Sequence, residues 1–255
     1  MQMLKNAEWM LGLAVLLAAA PGWAQLVEDF NPPKANCCLQ FNAQGLADQL
    51  QDWNQLGRYH ADDVKLRAEA PEPKRVVFFG DSITDGWKLE EYFPGKPYVN
   101  RGISGQTTPQ MLVRMFPDVI SLHPVALIIL AATNDIARNT GPESAEMIED
   151  NFRAIAELAQ LHGIKVLLGS VLPISDYTAA KQSARRPPAD VLKLNEWLRK
   201  YAQEKNLAYV DYYAALVDEK GFLKEAFSED GLHPNRRGYQ VMAPLAAVAI
   251  EKALK

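Results

Sequence analysis

Cysteine is almost missing from this chain of 255 residues: there are two, Cys37 and Cys38, side by side. They are compatible with a strained vicinal disulfide, an intermolecular bond or two reduced thiols, and no catalytic role is assigned to them. Histidine is scarce too, with four residues, and no His or Cys pair stands at ligand spacing, so neither a metal nor a cofactor is expected. Long apolar runs are lacking; the run at residues 10–20 falls short of the roughly 18 residues that a spanning helix needs. Basic clusters are lacking as well. With Lys and Arg scattered and a formal net charge of -4, nothing points to a nucleic-acid partner. There is no Gly-x-Ser-x-Gly elbow, which argues against an α/β-hydrolase proper.

What the chain does have is core. At 48% apolar and 23% charged residues it suits one α/β domain and leaves little room for a second. Lys5, the apolar run and the small residues up to Ala24 read as a secretory signal over residues 1–24. The mature protein is then expected to be exported, periplasmic or secreted, without stable membrane insertion. Lys34-Ala35-Asn36 ahead of the cysteines is no lipoprotein signal. Residues 25–73 form an N-terminal extension in which Leu46, Leu50 and Trp53 recur at helical spacing, and Val64 with Leu66 continue the pattern. The amphipathic helix they imply should pack on the outside of the domain, and Pro71 and Pro73 close it off.

The chain turns on Val76-Val77-Phe78-Phe79-Gly80-Asp81-Ser82. Four apolar residues read as a buried strand, and Gly80 ends it at a sharp turn. With Thr84 or Asp85 capping a helix through residues 87–92, Ser82 would sit where helix N–H groups point outward unpaired. Further strands are expected at residues 97–102, 125–131, 165–172 and 207–212, and helices at 143–162, 189–206 and 236–254. Thr108 and Pro109 read as cap and first residue of another helix, broken near Phe116 by Pro117. The polar stretch 173–188, with Tyr177, Lys181, Arg185 and Arg186, leaves the end of a strand and either lines a substrate mouth or is a solvated loop. In a parallel sheet of βα units, Ser82, Gly105, Asn134 and the pair Asp230 and His233 then share one rim, outside the carboxyl ends of the strands.

Four blocks in order carry a resemblance: Gly80-Asp81-Ser82-Ile83-Thr84; Gly105; Ala132-Thr133-Asn134-Asp135; and Asp230-Gly231-Leu232-His233-Pro234-Asn235. Residues 74–254 resemble the SGNH or GDSL hydrolases, which are serine esterases and acylhydrolases. The third block departs from the pattern, with Ala132 where a glycine is usual. The resemblance implies a three-layer α/β/α fold on a five-stranded parallel sheet, flavodoxin-like, over residues 74–255. It implies Ser82 as nucleophile, His233 as its base and Asp230 as the partner of His233. The backbone N–H groups of Ser82 and Gly105 and the side chain of Asn134 would form the oxyanion hole, while Asp135 is a structural hydrogen-bonder. Asp81, Trp87 and Tyr177 are candidates for substrate contact.

The substrate expected is a carboxylic ester, preferably a short acyl group such as acetyl on a carbohydrate or other soluble alcohol. A lysophospholipase or thioesterase, an acyltransferase and a non-catalytic carbohydrate-binding protein are the alternatives. The sequence leaves the oligomeric state open.

Overall fold

The computed structural model describes residues 50–70 and 72–255. The expected signal segment, Cys37, Cys38 and Leu46 lie outside the described residues. Five strands, β1 (Val76–Gly80), β2 (Tyr98–Gly102), β3 (Ala126–Leu130), β4 (Lys165–Gly169) and β5 (Ala208–Val210), form one sheet. All pairings are parallel, in the order β2-β1-β3-β4-β5. After β1 the chain goes to β2 on one side and then to β3 on the other, so the order reverses at β1 and a crevice opens at the carboxyl ends of β1 and β3.

Alternation along the strands builds two cores, one on each face. Val77, Phe79, Leu127, Ile129, Val166 and Leu168 face one layer, and Val76, Phe78, Ile128, Leu130, Leu167 and Val210 the other. Eight helices concern the argument: α1 (His60–Ala68), α2 (Ser82–Asp85), α3 (Thr108–Val113), α4 (Thr133–Ile136), α5 (Ala145–Leu161), α6 (Pro188–Glu204), α7 (Tyr212–Leu216) and α8 (Arg236–Ala253). α5 buries Ile148, Phe152, Ile155 and Ala159 in the first core, as its spacing predicts, and α8 buries Met242, Ala246 and Ile250 in the second. Each such large side chain contributes about 1.5–3 kcal/mol on burial. The three-layer α/β/α fold is the one expected.

Two strands end earlier than their apolar runs. Val171 is buried but leaves the ladder because Asn195 replaces a strand partner: Val171 N donates to Asn195 Oδ1 at 2.7 Å, and Asn195 Nδ2 donates to the Val171 carbonyl at 2.9 Å. β5 stops at Val210 because Asp211 caps α7, accepting from Ala214 N at 3.0 Å.

The extension holds a larger departure. The residue that α1 buries is Asp63, whereas Val64 is exposed. Asp63 Oδ1 accepts from Nε and Nη2 of the buried Arg101, on β2, at 2.9 and 2.7 Å, and Asp62 accepts from the same Nη2 at 2.7 Å. Of the two apolar residues expected to pack, Leu66 lies against the first core and Val64 does not, and a buried ion pair supplies the rest of the contact. Just upstream, the carbonyls of Trp53 and Asn54 accept from the Gln110 and Gln106 side chains at 2.6 and 2.9 Å.

Candidate active site

Ser82 stands two residues past the end of β1, with Asp81 between. Gly80 is required there, since a Cβ would overlap the Leu130 carbonyl oxygen and the Thr84 side chain. The helix cap is neither Thr84 nor Asp85 but Asp81, whose Oδ1 accepts from Ile83 N at 2.9 Å. That carboxylate satisfies the first amide it can reach, so α2 starts at Ser82 and closes after one turn; Leu89–Tyr92 is a separate turn. As a first-turn residue, Ser82 has an N–H without an intrahelical acceptor.

Opposite stands the turn before α8. An antiparallel bridge between Ser228 and Pro234 closes its base, and the Asn235 side chain caps α8 by accepting from Arg237 N and Gly238 N. Inside this turn Asp230 Oδ1 accepts from the N–H groups of Leu232 and His233 at 2.9 and 2.8 Å. Its Oδ2 lies 2.6 Å from His233 Nδ1, and His233 Nε2 lies 2.9 Å from Ser82 Oγ. Burial on its own would raise the Asp230 carboxyl, but the bonds from the His233 ring and from the two N–H groups outweigh it and carry it down to about 2. A carboxylate, an imidazole and a hydroxyl joined in this order can draw a proton off the hydroxyl and stabilise the cation that results.

The oxyanion candidates lie on the next loops. Gly105 is exposed, with φ of 83°, and follows β2. Asn134, 3% exposed, lies in α4 after β3; its Nδ2 donates to the Gln106 carbonyl at 3.0 Å and its Oδ1 accepts from Arg186 Nη2 at 3.3 Å. Ala132, which precedes it, adopts φ of 84°. This left-handed conformation accounts for the glycine usual at the position, and Ala132 holds it within a fully buried turn. Asp135 is buried as a structural acceptor, bonded by Thr108 N at 2.8 Å and by the Thr108 hydroxyl. The Thr108 side chain is thereby engaged, and the cap of α3 is Thr107 in a capping box with Gln110.

The substrate-contact candidates divide. Asp81 is fully buried, and burial pushes its carboxyl up to about 7; it braces the turn under Ser82 and does not face the rim. Trp87 is 2% exposed and packs on Phe78, Phe93, Tyr212 and Tyr239 in the second core, which likewise removes it from the rim. Tyr177 is half-buried and donates to the Ser228 carbonyl at 2.8 Å, holding the Asp230 turn.

Sequence patterning missed what joins these loops. Gln106 meets Asn54, Arg114 and Asn134 at once. Asn139 Nδ2 donates to the Gly105 carbonyl at 3.1 Å. Arg186, in the stretch expected to be a mouth or a solvated loop, is 5% exposed. Its one signal in the sequence was a pair of arginines followed by two prolines in a loop after a strand.

Known proteins resemble this chain in sequence and in fold. The sequence pattern of the "GDSL-like Lipase/Acylhydrolase family" matches residues 78–241, well over half the chain. A solved structure of an acylhydrolase from Bacteroides fragilis is similar, with 40% identity and a TM-score of 0.74, over 80% of this chain and 99% of that one. An acetylxylan esterase of Geobacillus stearothermophilus is 24% identical over 67% of this chain and 90% of its own length. An uncharacterized lipoprotein of Bacillus subtilis is 27% identical over 62% of this chain and 79% of its own.

Proposed function

This chain belongs to the GDSL-like lipase/acylhydrolase family, and on that premise we propose that it is an exported serine esterase that cleaves carboxylic esters through an acyl-enzyme on Ser82. The observation that supports this most directly is the unbroken run from Asp230 through His233 to Ser82 Oγ, at 2.6 and 2.9 Å. In this reading Ser82 Oγ attacks the ester carbonyl carbon while His233 Nε2 takes the hydroxyl proton and Asp230 steadies the imidazolium. The carbonyl oxygen becomes an oxyanion met by the N–H groups of Ser82 and Gly105 and by Asn134 Nδ2. As the C–O bond breaks, His233 returns the proton to the leaving alcohol. Water then attacks the acyl-enzyme, giving its proton to His233, which passes it to Ser82 Oγ as the bond to the acyl carbon breaks and the acid leaves.

We further propose a short acyl group, acetyl first, on a carbohydrate or other soluble alcohol. The acetylxylan esterase among the relatives favours this. Among the described residues no helix is long and apolar enough to cross a membrane. Export is favoured by the N-terminal run ending in small residues near Ala24 and by the lipoprotein relative.

The test is hydrolysis of p-nitrophenyl esters from acetyl to octanoyl, beside Ser82→Ala. Activity that falls with acyl length and vanishes in the variant is expected, with acetate then released from acetylated xylo-oligosaccharides. Equal activity in both proteins would remove Ser82 as the nucleophile, and a rate rising towards octanoyl would overturn the acetyl preference.

A further inference from the structure

We propose that Arg185 and Arg186 are positioning residues that orient the oxyanion hole and couple it to the turn carrying Asp230 and His233. The inference rests on the esterase reading, because it takes Asn134 and Gly105 as the oxyanion groups.

Arg186 reaches three residues at once. Its Nε donates to the Thr133 carbonyl and hydroxyl at 3.0 and 3.1 Å, its Nη2 to Asn134 Oδ1 at 3.3 Å, and its Nη1 to Gln182 Oε1 at 2.9 Å. A carboxamide can sit in either of two flipped orientations, and only one presents N–H groups to a ligand. A guanidinium carries donors alone, so whatever faces it must be the amide oxygen. With Oδ1 held by Arg186, the Asn134 NH2 is turned the other way. One of its two N–H groups goes to the Gln106 carbonyl, and the second is left for a developing oxyanion.

Arg185 serves the other oxyanion group one step removed. Its Nη2 donates to the Ala137 carbonyl at 3.2 Å and to Asn139 Oδ1 at 3.0 Å, so Asn139 must turn its NH2 outward, towards the Gly105 carbonyl at 3.1 Å. That bond holds the carbonyl of Gly105, the residue whose φ is positive. The same loop then grips the acid. Gln182 Nε2 and Thr178 Oγ1 donate to the Asp230 carbonyl at 3.4 and 3.2 Å, and Tyr177 ties Ser228. One short stretch of chain thus touches Asn134 directly, reaches Gly105 through Asn139, and holds the base of the acid-histidine turn. Burial, then the neighbouring Arg185, lower the Arg186 guanidinium to about 10, while the Asp81 and Asp230 carboxylates favour its charge.

Arg186→Met, Arg186→Lys and Arg185→Met are to be compared with wild type, Asn134→Ala and Ser82→Ala. The readouts are kcat and KM on p-nitrophenyl acetate and inhibition by a phenylboronic acid, whose tetrahedral serine adduct mimics the oxyanion. Misplacing a reacting group costs up to about 100-fold. For Arg186→Met we expect kcat to fall by about 10- to 100-fold, KM to stay within about twofold, and boronate affinity to fall with kcat. Lysine, which keeps the charge but lacks the fork, should restore little. The exposed Arg185→Met, which does not disturb a buried cation, should show the same pattern at smaller amplitude.

Wild-type kcat in both methionine variants, or a lower melting temperature with boronate affinity unchanged, overturns the proposal. If Ser82→Ala keeps full activity, the esterase reading itself has failed. If Ser82→Ala is inactive and Asn134→Ala impaired while the arginine variants match wild type, only the positioning role has failed.

Discussion

Asp230 holds His233 twice, by the ring and by the backbone. Oδ2 meets Nδ1 at 2.6 Å and Oδ1 accepts the His233 N–H at 2.8 Å, three residues apart on one turn. Asparagine at 230 would keep an oxygen for the N–H groups but offer an NH2 to Nδ1. The imidazole would then carry its proton on Nε2, where it cannot accept one from Ser82. Asp230→Asn should lower kcat by about 10,000-fold with little change in KM. Steady-state kinetics on p-nitrophenyl acetate decides it, and a loss below about tenfold would make the carboxylate dispensable.

A different carboxylate should govern stability against pH. Burial, then the nearby Asp135 carboxylate, push the Glu143 carboxyl up to about 8, against about 4.3 in an unfolded chain. A folded-state value raised in this way contributes stability below about pH 4 that is lost as pH climbs to about 8, at no more than about 1.4 kcal/mol per unit. Asp230 works in the opposite sense: its value is depressed to about 2, so its contribution is present above about pH 4 and lost as pH falls through 2. Glu143→Gln should flatten the decline between about pH 5 and pH 8, which urea titrations at both ends would show; an unchanged slope would assign it elsewhere.

The Asp63 and Arg101 pair is nearly sealed, with side chains 1% and 3% exposed. Asp63→Ala would leave the guanidinium with the outer Asp62 and the Asn100 carbonyl as its remaining polar partners. A loss of about 3 kcal/mol in unfolding free energy is expected. A double-mutant cycle with Arg101→Met should return part of that loss, and additive effects would show the pair to be uncoupled.

Trp87 separates packing from recognition. Its ring lies 5.4 Å from Phe78 and 5.3 Å from Tyr239, centroid to centroid. Trp87→Ala should cost about 3–5 kcal/mol of stability, while Trp87→Phe should fold with an unchanged KM for acetyl esters. A raised KM in a stable Trp87→Phe would return the residue to the substrate surface.

The middle of the sheet was legible because the runs at β1 and β3 are apolar and unbroken, and each ends at the rim. The site candidates were legible because each directly follows a strand end or precedes α8. Patterning failed where polar side chains replace backbone or apolar partners. Asn195 ends β4, Asp81 starts α2 early, and Asp63 takes the place of an apolar contact. Aromatic character misled at Trp87, since a ring suited to stacking on sugar is equally suited to a core. Arg185 and Arg186 stood out in the sequence as part of a polar loop, but their partners did not, because these lie about fifty residues away and no period in the sequence encodes such a distance.

The bonds from Trp53, Asn54 and Asp63 to Gln110, Gln106 and Arg101 bear on how this protein tolerates shortening. The motifs begin near Lys74, and a chain cut there would keep every residue of the hydroxyl, imidazole and carboxylate run. It would also strand a buried guanidinium and loosen Gln106, whose carbonyl anchors Asn134. Such a minimal esterase would be expected to aggregate on expression, and homologues that begin close to the first motif should carry an uncharged residue in place of Arg101.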